Sequence, residues 1–191
     1  MIVIVQQFAY RKIDIEGLLE IDPFVAEDIR GDLIKDFSSE EFQANGIKHE
    51  LAEVFYTKSH AGVIRALHFQ REYIQPKLVR CLAGEVFDVI VDLRKGSNTF
   101  GKWQGFYLSD ENHKELLIPG YCAHGYLVLK PSIVSYKCSQ RFYAEYDDGI
   151  IWNDPELGIG WPVEQVKDII ISEKDTNLQS FAEFVKKYGG L

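Results

Sequence analysis

Apolar and polar positions alternate along residues 85–93, placing Phe87, Val89, Val91 and Leu93 on one face of a strand and Val86, Asp88, Ile90 and Asp92 on the other. Residues 63–70 and 77–82 have the same β-type character, so residues 62–93 predict three strands in succession. Only Ala83-Gly84 separates the second from the third, which predicts a hairpin. Further runs rich in Val, Ile, Phe and Tyr recur over residues 99–108, 116–118, 121–130 and 133–138. Turn signals such as Lys95-Gly96-Ser97-Asn98 and Pro119-Gly120 punctuate them, and the Gly- and Trp-rich residues 152–162 close the series. Strands at this spacing predict a mainly β chain folded as an antiparallel sandwich or barrel.

Both ends carry other signals. Residues 1–8 and 13–21 are strand-like, and Met1-Ile2-Val3-Ile4-Val5 reads as a first strand rather than a signal peptide. Ser38, three residues before Glu41, resembles a capping box, and Asn45-Gly46 supplies a stop, so a short helix is expected over residues 39–44. Near the C-terminus Leu178, Phe181, Ala182, Val185 and Tyr188 recur at helical steps until Gly189-Gly190. The expected organisation is one domain over residues 1–191: N-terminal strands and a helix to residue 50, a β core over 51–165, and a C-terminal segment with its helix over 166–191.

Composition narrows the function classes. The chain carries 21 basic and 29 acidic residues, a formal charge of −8, which argues against sequence-independent nucleic-acid binding. No apolar run approaches the about 20 residues that span a bilayer. Cys81, Cys122 and Cys138 are scattered with no Cys-x-x-Cys pair, so inert buried thiols and a reducing, cytoplasmic setting are expected. A metal-dependent barrel would need clustered ligands of the His-x-His type, and no two of the five histidines are so spaced.

The three strands of residues 62–93 are loaded with titratable groups, Arg65, His68, Lys77, Arg80, Asp88 and Asp92, where simple packing needs none. Arg65 and His68 are three apart, so a flat strand would point them to opposite faces. Either a bulge intervenes or one of them serves a neighbouring strand.

Several long blocks are more specific. Val63-Ile64-Arg65-Ala66-Leu67-His68-Phe69-Gln70, Lys77-Leu78-Val79-Arg80, Gly84-Glu85-Val86-Phe87-Asp88-Val89, Gly101-Lys102-Trp103 and Cys122-Ala123-His124-Gly125 occur in one order and spacing. With Ser135-Tyr136-Lys137-Cys138, Trp152-Asn153-Asp154-Pro155 and Ser172-Glu173-Lys174-Asp175, they resemble the dTDP-4-dehydrorhamnose 3,5-epimerase family over residues 24–176. The resemblance implies a cupin-type jelly roll, a homodimer, and epimerisation of nucleotide-linked 4-keto-6-deoxy sugars at C3 and C5 without metal or organic cofactor. It further implies His68 as base, Asp175 as its orienting partner, Lys77 as the cation near the enolate, and Tyr136 as the acid on the far sugar face. Arg65 and Arg30 match phosphate-binding arginines, which favours the bulge before His68. His124 corresponds to a histidine near the sugar that Asp88 could hold. Gln70, Arg141 and Phe142 complete the expected substrate contacts. Each has a plainer reading: Asp175 could be a helix cap, Tyr136 a core tyrosine, Lys77 a solvated edge residue, and Trp103 and Trp152 packing.

The chain departs from the family pattern around the pocket. Glu53-Val54-Phe55-Tyr56-Thr57 stands where Gln-Asp-Asn-His-Ser is usual, Arg141-Phe142 where tyrosines are adjacent, Pro76 where glycine precedes the lysine, and Lys35 where an acid follows Arg30-Gly31. These changes leave open a monoepimerase acting at C3 or C5 only, on another 4-keto sugar nucleotide. A non-catalytic sugar-nucleotide-binding cupin is the rival from another class, and it would have no need to keep an acid and a base together.

Overall fold

The structure, a computed structural model, describes residues 4–191. Its strands are β1 (Ile4–Gln6), β2 (Ala9–Lys12), β3 (Leu19–Asp22), β4 (Phe24–Asp28), β5 (Gly31–Lys35), β6 (Glu53–Ser59), β7 (Ile64–Gln70), β8 (Lys77–Asp92), β9 (Trp103–Ser109), β10 (Glu115–Ile118), β11 (Cys122–Cys138) and β12 (Asp147–Gly149). The helices are α1 (Ser39–Ala44), α2 (Glu173–Thr176) and α3 (Phe181–Tyr188). The first three residues of the strand expected over residues 1–8 lie outside the described residues. The strand expected over residues 13–21 shrinks to β3, because Ile13 and Leu18 hydrogen-bond across a turn that contains Gly17.

All pairings between strands are antiparallel, in a nine-stranded sheet and a three-stranded one formed by β1, β4 and β5. Two strands organise the larger sheet. The expected hairpin at Ala83-Gly84 is absent: β8 runs through it for 16 residues, and β11 likewise continues through Pro131 for 17. The two pair along their whole lengths, from Cys122↔Asp92 to Cys138↔Lys77, with register shifts between Val128 and Val134. At the bend Gly84 has φ +78°, and a side chain there would strike the Pro131 carbonyl, so glycine lets the pair fold over without reversing. A reversal needs each half to pair with the other; here both halves take β11 as partner instead.

The bend gives the barrel two walls. The first halves of β8 and β10 join β3 and β2, with β6 on the second half of β11; the other wall sets β9 beside β8 and β7 and β12 beside β11. The period-two reading of residues 85–93 holds. Val86 and Ile90 face the barrel interior with Val79, Leu108, Tyr126 and Tyr136, while Phe87, Val89, Val91 and Leu93 pack outward under Trp161 and Phe184. The three cysteines are buried and unpaired. A third cluster, Ile21, Phe42, Leu78 and Leu117, is covered by α1.

Both expected helices form. Ser38 accepts a bond from the Glu41 amide, and α3 starts at a reciprocal Ser180–Glu183 capping box and ends at left-handed Gly189. Leu178 precedes α3 instead of belonging to it. Among the described residues no helix is long and apolar enough to cross a membrane.

Glu115 on β10 is fully buried and neither carboxylate oxygen meets a hydrogen-bond donor. Burial raises its carboxyl well above the usual range; Lys137 and Arg80 oppose this and Asp36 reinforces it. A carboxyl whose folded pKa is raised adds stability that is fully present below its unfolded value and is lost as pH rises through the folded value. Glu115→Gln is therefore expected to flatten that alkaline loss and to stabilise the protein at neutral pH by roughly 1–3 kcal/mol. Urea unfolding of both proteins at mildly acidic and mildly alkaline pH checks this, and equal stabilities at every pH would refute it.

Candidate active site

The barrel opens into a pocket of about 770 Å³ whose wall includes Arg65, His68, Gln70, Lys77, His124, Tyr136, Phe142 and Asp175. These side chains come from four elements, with Phe142 supplied by the loop that follows β11. β7 contributes Arg65, His68 and Gln70, β8 contributes Lys77, β11 contributes His124 and Tyr136, and α2 contributes Asp175. Arg65 and His68 reach the same pocket because the β7–β11 register slips between them: His124 pairs with His68, but Tyr126, two residues on, pairs with Arg65, three residues back. The extra residue on β7 is the expected bulge.

His68 Nε2 lies 3.2 Å from Asp175 Oδ1. Asp175 is held in place by a local chain of bonds. Ser172 caps α2 by accepting from the Asp175 amide, and the segment before it is pinned to β7 by Ile64 N–H to Ile170 O and Ile170 N–H to Gly62 O, each 2.9 Å. At Gly62 a Cβ would sit 1.9 Å from the Asp168 carbonyl, so this approach also requires glycine. Asp175 thus lies inside α2, not at the cap of α3. Its own burial pushes its pKa up, but the hydrogen bond and charge of His68, with bonds from Ser172 and the Ala66 backbone, bring it below the usual carboxylate value.

Tyr136 is 8% exposed, and burial first, then Tyr126, raises its phenol well above the ordinary value, so the proton stays on the oxygen at neutral pH. Its ring stacks on Phe55 and meets His124 edge-on. Lys77 is half-buried; burial lowers its pKa against the pull of Cys138, Asp147 and Asp88. Behind the pocket His124 Nε2 bonds Asp88 Oδ2 at 2.8 Å, with both side chains buried. Burial raises the Asp88 carboxyl although His124 opposes it.

Three expected contacts lie off the pocket wall. Asp88 stands behind His124 and is not itself lining. Arg141 lies over the Tyr143 ring, 4.7 Å from its centroid. Arg30 sits at the β4–β5 turn, 82% exposed at the side chain and paired with Asp28 at 2.6 Å. Gln70 lines the pocket, but its amide is engaged with Tyr73 O and the Tyr143 amide. Trp152 and Trp103 pack against the outer apolar cluster, as expected. Thr57, from the stretch expected around the pocket, lines it, as do Asp147 and Gln75, which nothing in the sequence singles out. Asp147 is ion-paired to Lys174, and Thr57 is bonded to Tyr126 Oη at 2.8 Å. Asp147 and Gln75 carry no local signal, because β12 pairing with β7 brings the first to the pocket and a loop bonded to Gln140 O brings the second. Among the described residues no group of three or more His, Cys, Asp or Glu could hold a metal ion.

The architecture and pocket define a cupin-type jelly-roll barrel that gathers histidine, lysine and tyrosine around one cavity. The sequence model for dTDP-4-dehydrorhamnose 3,5-epimerase matches residues 12–183, and the chain belongs to that family. It is 48% identical over 178 residues to dTDP-4-dehydrorhamnose 3,5-epimerase of Methanothermobacter thermautotrophicus, covering 93% of this chain and 96% of that protein. It is also similar to the crystal structure of dTDP-6-deoxy-D-glucose-3,5-epimerase from Legionella pneumophila in complex with dTDP-4-keto-L-rhamnose. That likeness has a TM-score of 0.86 at 36% identity over 91% of this chain and 93% of that one. A 3′-monoepimerase from Streptomyces bikiniensis, in complex with dTDP-quinovose, is similar at a TM-score of 0.84 and 29% identity, over 93% and 89% of the two chains.

Proposed function

We propose that this protein is an isomerase that epimerises a nucleotide-linked 4-keto-6-deoxy hexose at C3 and C5 through an enolate, in deoxysugar and polysaccharide biosynthesis. The dTDP-linked sugar for which its relatives are named is the first substrate to test. The observation that carries this reading is the meeting of four side chains from four elements in one pocket: His68 backed by Asp175, Lys77, and a neutral Tyr136.

The chemistry follows from the C4 ketone. His68 takes a proton from the carbon beside it, and the C–H electron pair moves to the C4 oxygen as an enolate. Asp175 orients the imidazole and steadies the imidazolium that forms. Lys77 places positive charge near the enolate oxygen, where a desolvated cation acts more strongly than in water. Collapse of the enolate then takes a proton from Tyr136 on the opposite face, inverting the centre. The tyrosinate is reprotonated and His68 releases its proton to solvent, so the cycle balances with no cofactor. Arg65, exposed at the pocket edge with Nε bonded to Ser59 Oγ at 3.2 Å, offers its remaining donors to the diphosphate.

The reading includes a homodimer. Arg30 is not among the residues of its own pocket wall, so the diphosphate contact that the resemblance implies would be made by a second copy. Cytoplasmic residence is consistent with three unpaired buried thiols.

Incubation with dTDP-4-keto-6-deoxyglucose in heavy water tests the function. Deuterium is expected at both C3 and C5, followed by mass spectrometry and NMR. Label at one carbon only selects a monoepimerase, and no label with any of several nucleotides rejects the epimerase.

A further inference from the structure

Phe55 stands on β6 directly opposite Tyr136 in the β6–β11 register. The two rings lie face to face, centroids 4.8 Å apart and planes 12° from parallel. Two aromatic neighbours bound the Tyr136 ring, Phe55 against its face and His124 against its edge at 6.0 Å and 71°. They are not equally anchored. His124 is tied to buried Asp88, whereas Phe55 is 41% exposed on a strand that pairs only with β11 among the described residues. Phe55 also lines the pocket, so its ring forms part of the surface that a sugar would meet.

A stacked ring restrains a neighbour's tilt. Tilting a tyrosine swings its hydroxyl, the atom farthest from the backbone, and a displacement of about 1 Å at a reacting group can cost about 10²-fold. We propose that Phe55 is a positioning residue for Tyr136: its stack fixes the line along which the hydroxyl proton is delivered, and so sets what fraction of enolates is captured with inversion instead of returned by His68 to the starting configuration. The proposal rests on the acid role given to Tyr136 above and extends it to a residue that touches no reacting atom.

The stack would act on partition rather than on enolate formation. An enolate captured by Tyr136 in heavy water ends inverted and deuterated, whereas one recaptured by His68 keeps its configuration and carries deuterium only where the imidazole has first exchanged its proton with solvent. The inverted share of labelled molecules at early times weighs capture by Tyr136 against exchange and return at His68, which Phe55 does not touch, so a change between variants reports the capture step and is insensitive to how much active protein is present. Phe55→Ala and Phe55→Leu are expected to lower that share about tenfold, while Phe55→Tyr, which keeps a ring face against Tyr136, stays within about twofold of the starting protein. The half-exposed edge position lets the variants fold, which thermal unfolding verifies. An unchanged share in Phe55→Ala, or an equal fall in Phe55→Tyr, overturns the positioning role. Absence of any label with the unaltered protein overturns the epimerase reading itself, and this proposal with it. The two failures are thus distinguished by the control.

Discussion

Replacing His68 by alanine is expected to reduce deuterium exchange at both C3 and C5 by about 10²–10⁴-fold, the range that a positioned general base contributes. The geometry supports a base at this position and not merely a core histidine. The ring is half-buried in the pocket wall, and its Nε2 lies 3.2 Å from a carboxylate held below its usual pKa. Apart from His68 that carboxylate also accepts from Ser172 and the Ala66 backbone, and Ser172 in turn accepts from the Asp175 amide, so the variant leaves its support standing. The fold is expected to survive, because β7 is paired on both sides, with β11 and with β12. Exchange at the unaltered rate in a folded His68→Ala protein would mean that the base has been misassigned.

Tyr136→Phe is expected to separate the two half-reactions. Only the hydroxyl is removed, so the stack on Phe55 and the packing against Val79 and Val134 are kept. Proton abstraction by His68 continues, and deuterium still enters with retained configuration. Inversion falls by about 10²-fold or more, because no acid remains on the far face. Burial raises the phenol well above the ordinary value, which keeps the proton available through neutral pH and makes a neutral acid the working form. NMR of the labelled sugars resolves retained from inverted centres. Inversion at the starting rate would remove Tyr136 from the mechanism and, with it, the role given to Phe55.

Much of this was legible along the chain. Period-two alternation in residues 85–93 sorted the side chains of β8 onto two faces, because side chains on a strand must alternate whatever the fold, though only the barrel decided which face is inner. The helix over residues 39–44 and the end of α3 at Gly189 followed from local capping chemistry. Alternation left the bulge before His68 as one of two alternatives, and the family resemblance of Arg65 chose it.

Other features have no local cause. Ala83-Gly84 carries a turn signal, yet whether a glycine reverses a strand or bends it depends on which partner the flanking residues find, and here both halves find β11. The burial that raises the pKa values of Tyr136 and Glu115 arises only when distant segments close over them. Arg30 shows the same limit from the other side: a phosphate-binding residue by resemblance, it pairs with Asp28 at a turn away from its own pocket wall. The titratable strands of residues 62–93 were recognisable as half of a reactive site. The other half, Tyr136 and Asp175, joins them only through the β8–β11 pairing and the pinning of residues 168–171 to β7, because acid, base and support must approach from different directions and no single stretch of chain can supply all three.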